Sequence, residues 1–106
     1  MTLEELKSII KDKPAVLVYF SGIGCGVCQV LKPKIQKAFS DNYPLIQQYY
    51  LDIEEHKDIA VSYSVFTMPT ILVFLDGKEF ARKSRNMSVD GLIQDLKRPY
   101  DLFFGD

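Results

Sequence analysis

The chain has two cysteines, and they stand two residues apart in Ser21-Gly22-Ile23-Gly24-Cys25-Gly26-Val27-Cys28. Two thiols at this spacing admit three readings. They form a redox pair, they supply half of a metal site, or they are small buried hydrophobes that happen to be neighbours. A metal needs two more ligands. His56 is the single histidine, and it lies in Glu54-Glu55-His56-Lys57-Asp58, which reads as a solvated helix start. No metal site is therefore expected. In a reducing compartment, two such cysteines serve catalysis or metal binding rather than stapling the fold.

What the pair can do depends on the elements that hold it. Thr2-Leu3-Glu4-Glu5 fits a capping box, and residues 3–11 read as a short helix ended by Pro14. Residues 15–20, Ala-Val-Leu-Val-Tyr-Phe, are continuously apolar and read as a strand buried on both faces. Beyond the cysteines, Val27, Leu31, Ile35 and Phe39, joined by Val30 and Ala38, form an apolar helical stripe opposite Lys32, Lys34 and Lys37. Cys25 then sits at the first turn of a helix and Cys28 one turn in. Pro33 is expected to kink that helix.

Residues 45–53 read as a second strand, less fully buried because Gln47 and Gln48 lie in it, and residues 54–63 as a short helix. Residues 70–74 form a third strand, Asp76-Gly77 a hairpin turn, and residues 78–84 an exposed antiparallel partner. Ser88 caps a last helix carrying Val89, Leu92, Ile93 and Leu96. The expected organisation is one domain over residues 1–98 and an aromatic tail over 99–106. The order is α-β-α-β-α-β-β-α. Strands joined through helices are expected to run parallel, with the hairpin adding an antiparallel strand. This is a small α/β sandwich with the cysteines at the C-terminal edge of a central strand, where such sheets place active sites.

The totals agree with one domain. The chain has 106 residues, enough for a single core. A net charge of −1 gives no basic footprint for nucleic acid or an anionic membrane. No apolar run reaches membrane-spanning length, and the N-terminal stretch lacks the pattern of a signal peptide, so a cytoplasmic location is expected.

The residues resemble the thioredoxin family. The likeness rests on the buried strand leading into Cys25-Gly26-Val27-Cys28, on Pro33 five residues later, on Met68-Pro69-Thr70 opening a strand, and on Asp76-Gly77 at the next hairpin. It implies a thioredoxin-like three-layer sandwich with a four-stranded mixed sheet flanked by helices. It implies a cis Pro69 facing the cysteines, with Met68 presenting its backbone to an extended substrate. Gly24, Gly26 and Val27 would complete the substrate-binding surface. The cysteine at a helix start faces unpaired amides and the positive end of the helix dipole, so Cys25 is the expected nucleophile and Cys28 the resolving thiol.

Several positions depart from the family. Ser21 and Gly24 stand where its tryptophans would, and the chain has no tryptophan. Tyr19 and Tyr50 stand in place of a buried acid and its lysine partner. They are expected to pack together behind Cys28, and a neutral tyrosine cannot take the proton of the resolving thiol except through water, so resolution is expected to be slower and more dependent on hydroxide. Arg85 lies near a family glycine and would narrow the range of partners or favour an acidic one. The family's first strand has no counterpart, so the second strand is expected at a bare sheet edge.

Two function classes follow. One is a thiol–disulfide oxidoreductase that reduces protein disulfides, needs no cofactor beyond its own redox-active disulfide, and is recharged by a reductase. The other is a binding module that holds a partner at the Met68-Pro69 groove with little turnover. No nucleic-acid or membrane partner is expected. A homodimer through the strand edge or the tail is left open.

Overall fold

In the computed structural model, which describes residues 1–105, helix α1 (Leu3–Asp12) begins with a reciprocal cap. The Glu5 amide donates to Thr2 Oγ1 (3.1 Å), and the Thr2 amide donates to Glu5 Oε1 (2.9 Å). Leu6 and Ile10 are the buried face of α1. Strand β1 (Ala15–Ser21) follows, then α2 (Gly26–Asn42), β2 (Gln47–Asp52), α3 (Lys57–Ser62), β3 (Thr70–Leu75), β4 (Lys78–Lys83) and α4 (Val89–Phe104).

The sheet order is β2-β1-β3-β4. Every second residue of β1 faces the opposite layer. Val16, Val18 and Phe20 meet Leu6, Ile10 and Ile59 of α1 and α3. Leu17 and Tyr19 meet Ile35, Phe39, Leu92 and Leu96 of α2 and α4. Both faces of β1 are covered, which is why its sequence shows no alternation. The result is the expected three-layer α/β sandwich with a four-stranded mixed sheet.

Strand direction differs from the expectation. β1 and β2 are parallel, but β3 runs antiparallel to β1, although it is joined to β2 through a helix. The cause is length. A six-residue helix spans about 9 Å, whereas a six-residue strand spans about 20 Å. Helix α3 cannot carry the chain back across the sheet, so β3 starts near the edge where β2 ends. That reversal brings Met68-Pro69 to the end of β1 that bears the cysteines. The β3–β4 hairpin turns at Asp76 (φ 52°) and Gly77 (φ 77°), left-handed at both central positions.

Two other expectations are corrected. Helix α2 runs through Pro33 without interruption, and its Val27 and Val30 are exposed rather than core. The tail expected over 99–106 is, as far as Phe104, a continuation of α4. Pro99 sits inside that helix and removes a backbone donor. Docking of the last turns offsets the loss. Tyr100 stacks on Tyr43 (4.6 Å between ring centres) and on Phe104 (4.7 Å). The Leu45 amide donates to the Tyr100 hydroxyl (3.2 Å), and the Tyr43 hydroxyl donates to the Ile93 carbonyl. Among the described residues, β2 ends the sheet, as expected. The tail contacts Tyr43 and Leu45, ahead of that strand.

Stopping the chain after Arg98 should therefore cost stability. Removing two packed aromatic rings from one side of the core is expected to lower the unfolding free energy by about 2–4 kcal/mol. The shift in the urea midpoint measures it. An unchanged midpoint would make the last turns a true appendage.

Candidate active site

Beyond Ser21 the chain turns sharply. The Cys25 amide donates to the Gly22 carbonyl (3.3 Å), and Gly24 sits at φ 80°, where a side chain would be strained. Cys25 is the N-cap of α2, and its sulfur accepts the Cys28 amide (3.2 Å). That amide is one of the donors a helix start leaves without an internal partner. The same amides and the helix dipole stabilise negative charge on Cys25 when it is reduced. Cys25 and Cys28 are joined as a disulfide. Cys25 is partly exposed, whereas Cys28 is 2% exposed.

Tyr19 lies behind Cys28. Its hydroxyl donates to the Cys28 carbonyl (2.9 Å), and its ring is fully buried. Tyr50, its register partner on β2, packs against it with ring centres 5.3 Å apart. The Tyr50 hydroxyl donates to Gln48 Oε1, and the Lys32 ammonium sits 5.1 Å from the ring centre. Burial pushes both phenols up, each to about 12, with the neighbouring Tyr19 adding to the shift of Tyr50. Both stay protonated at neutral pH. Tyr19 is a donor here and has no capacity to collect the Cys28 proton.

The segment ahead of β3 forms the other wall. Thr70, buried, donates its hydroxyl to the Thr67 carbonyl (2.7 Å) and closes the turn that carries Met68-Pro69. The Met68–Pro69 peptide is cis. Met68 lies directly against Gly22: a Cβ there would fall 2.5 Å from Met68 Sδ. Glycine at 22 is thus what lets the two segments meet.

Two depressions flank the pair. One, of about 430 Å³, is lined by Gly26, Val27, Val30, Lys34, Arg85 and Met87, with Leu31 at its floor. The other, of about 230 Å³, is lined by Ser21, Gly22, Cys28, Gln29, Lys32 and Asp52, beside Ile23. Ile23, Val27, Val30 and Phe66 are exposed apolar residues from the segments that carry the cysteines and Met68.

Gly24, Cys25, Gly26 and Val27 follow one another at the start of α2, Tyr19 lies behind Cys28 with Tyr50 beside it, and Met68-Pro69 meets this segment at Gly22. Pro33 does not join them, being exposed further along α2 and lining neither depression. Sequence reasoning missed Gly22, Val30, Lys34, Met87 and Asp52. Gly22 carried a signal, as a glycine directly after a buried strand and before the cysteines. His56 makes a hydrogen bond from its ring to the Asp52 carbonyl (2.9 Å). Among the described residues, no cluster of three or more His, Cys, Asp or Glu is placed to hold a metal.

Known proteins share this arrangement. The sequence profile of the family described as Thioredoxin matches residues 1–98. The thioredoxin-like protein YdfQ of Bacillus subtilis is 33% identical over 105 residues, covering 99% of this chain and 93% of that protein. Thioredoxin-1 of Saccharomyces cerevisiae is 41% identical over 81 residues, covering 76% of this chain and 78% of its own. The crystal structure of oxidised mitochondrial thioredoxin 3 from Saccharomyces cerevisiae superposes with a TM-score of 0.81 at 26% identity, covering 92% of this chain and 90% of that one. With the CxxC pair bonded at a helix start, these matches identify the chain as a member of the thioredoxin family and a thiol–disulfide oxidoreductase.

Proposed function

We propose that the chain reduces disulfides in protein substrates, that Cys25 attacks and Cys28 resolves, and that a reductase in the cytoplasm recharges the pair. The supporting observation is the inequality of the two sulfurs: one is reachable at a helix N-cap, the other buried one turn in. The Cys25 thiolate attacks a substrate disulfide, forms a mixed disulfide and releases one substrate thiolate. The Cys28 thiolate then attacks Cys25, forms the internal disulfide and releases the second. Two electrons and two protons from the reductase restore the dithiol. Both cysteines of the chain are used in this pair, which leaves none for structural cross-links and suits a reducing compartment.

The substrate strand lies against Met68-Pro69 and across Val27. The exposed apolar residues Ile23, Val30 and Phe66 favour a protein surface over a small polar disulfide. Lys34 and Arg85 rim the groove beside Val27, and among the described residues neither has a carboxylate within ion-pair distance. They select an acidic substrate segment. The free edge of β2 and the exposed Leu102 and Phe103 are the surfaces a second copy would use.

Paired disulfide peptides that differ only in acidic or basic residues beside the cysteine test this reading, with dithiothreitol as electron source. The acidic peptide should have a kcat/KM about threefold to tenfold higher, since each exposed ion pair contributes up to about 1 kcal/mol. The double variant Lys34→Glu, Arg85→Glu should reverse the preference. Equal rates for both peptides with both proteins would remove the acidic preference, and no catalysis of either would remove turnover itself.

A further inference from the structure

With Tyr19 holding its own proton, the Cys28 thiol needs another acceptor before it can resolve a mixed disulfide. The 230 Å³ depression opens to solvent and is lined by both Cys28 and Asp52. It has room because a small residue, Ser21, lines it where a large side chain would fill it, and Ser21 is the register partner of Asp52 on β2. At about 30 Å³ per water molecule it has room for several waters, and the polar residues Ser21, Gln29, Lys32 and Asp52 are among those that line it.

We propose that Asp52 is the proton acceptor for Cys28, working through water in this depression. The inference rests on Cys28 being the resolving thiol. The step balances. The Cys28 thiol gives its proton to a water, which passes one on to the Asp52 carboxylate. The freed electron pair on Cys28 Sγ attacks Cys25 Sγ in the mixed disulfide. The Cys25–substrate bond breaks, and the substrate sulfur leaves as thiolate. Asp52 then returns its proton to solvent.

The charged and titratable groups around this route are few. Tyr19 of β1 and Tyr50 of β2 are protonated phenols, and Cys25 is bound to substrate at this stage. Lys32 of α2 lies over the Tyr50 ring and lines the same depression, so its positive charge favours the thiolate forming on Cys28. Glu54 and His56 lie on Asp52's own segment. The Glu54 amide donates to Asp52 Oδ1 (2.8 Å), and the His56 ring meets the Asp52 carbonyl (2.9 Å). One carboxylate oxygen is thereby held by the backbone, which fixes the orientation of the group. General bases need this reach, direct or through one water.

Stopped-flow reaction of the reduced protein with dithiobis(nitrobenzoate) separates the steps. Attack by Cys25 releases one nitrothiolate, and resolution by Cys28 releases a second. This leaving group departs without needing a proton, so the second phase reports removal of the Cys28 proton. Asp52→Asn keeps an oxygen for the Glu54 amide but has no basic site. It should slow the second phase about tenfold at neutral pH, and make that rate rise tenfold per pH unit, as expected when hydroxide supplies the base. The wild-type rate should rise less steeply. Ser21→Leu, which fills the depression, should reproduce both effects, and the double variant should be no slower than either single one. A second phase with unchanged rate and pH profile in both variants would overturn the role of Asp52. Absence of any second phase in the wild type would instead overturn Cys28 as the resolving thiol.

Discussion

Serine in place of Cys25 should leave insulin reduction by dithiothreitol at its uncatalysed rate, whereas serine in place of Cys28 should trap the substrate. The two outcomes differ because the two sulfurs differ in access. A substrate disulfide can approach Cys25, which is partly exposed, but not Cys28, which is buried in the first turn of α2. Thiolate character is also distributed unequally. Cys25 sits at the N-cap, where its sulfur accepts the Cys28 amide and lies at the positive end of a seventeen-residue helix. With Cys28 replaced, the first exchange still occurs and the mixed disulfide has no internal thiol to displace it. Covalent conjugates with substrate should accumulate and disappear on adding reductant, visible as a mass increase under non-reducing conditions. Turnover in Cys25→Ser, or conjugates through Cys28, would reverse the assigned roles. The internal nucleophile has an effective concentration far above that of dithiothreitol in solution, so its loss should cost several orders of magnitude in release.

Much of this arrangement is readable in local sequence signals, and the remainder depends on geometry that local signals do not carry. The buried run of β1 and the Asp76-Gly77 turn each act within a few residues, and each forms as expected. The direction of β3 does not follow from the presence of a helix before it. It follows from that helix being too short to span the sheet. Pro99 reads as a stop, yet α4 continues, because the rings of Tyr100 and Phe104 find Tyr43 across the fold. Val27 and Val30 belong by spacing to the core stripe of α2. They are exposed instead and line the depression beside Arg85 and Met87. Lys34 with Arg85, and Cys28 with Asp52, lie on different elements. Only the closed sandwich brings the members of each set to one depression.

Tyr19→Ala should be the most destabilising single change near the site, at about 3–5 kcal/mol, read from the denaturant midpoint of the oxidised protein. The ring is fully buried in the middle of the sheet, stacked on Tyr50 and enclosed by the α2 and α4 layer. Its removal leaves a cavity that the rigid sheet cannot close. Tyr19→Phe isolates the hydroxyl. It keeps the ring and loses one hydrogen bond to the Cys28 carbonyl, so its cost at neutral pH should be about 1 kcal/mol. That difference should change with pH in a defined direction. The folded-state phenol is raised by burial from 10 to about 12, so folding favours its protonated form. The associated stability is fully present below pH 10. It falls as pH rises toward 12, because the unfolded chain ionises first and is stabilised by doing so. Phenylalanine has no such loss. The gap between wild type and Tyr19→Phe should therefore narrow as pH rises above 10, even as Tyr50, which titrates in the same range, weakens both proteins. A gap that stays constant to pH 11 would mean that the buried hydroxyl is not held in its protonated form, and that Tyr19 is open to proton exchange beside Cys28 after all.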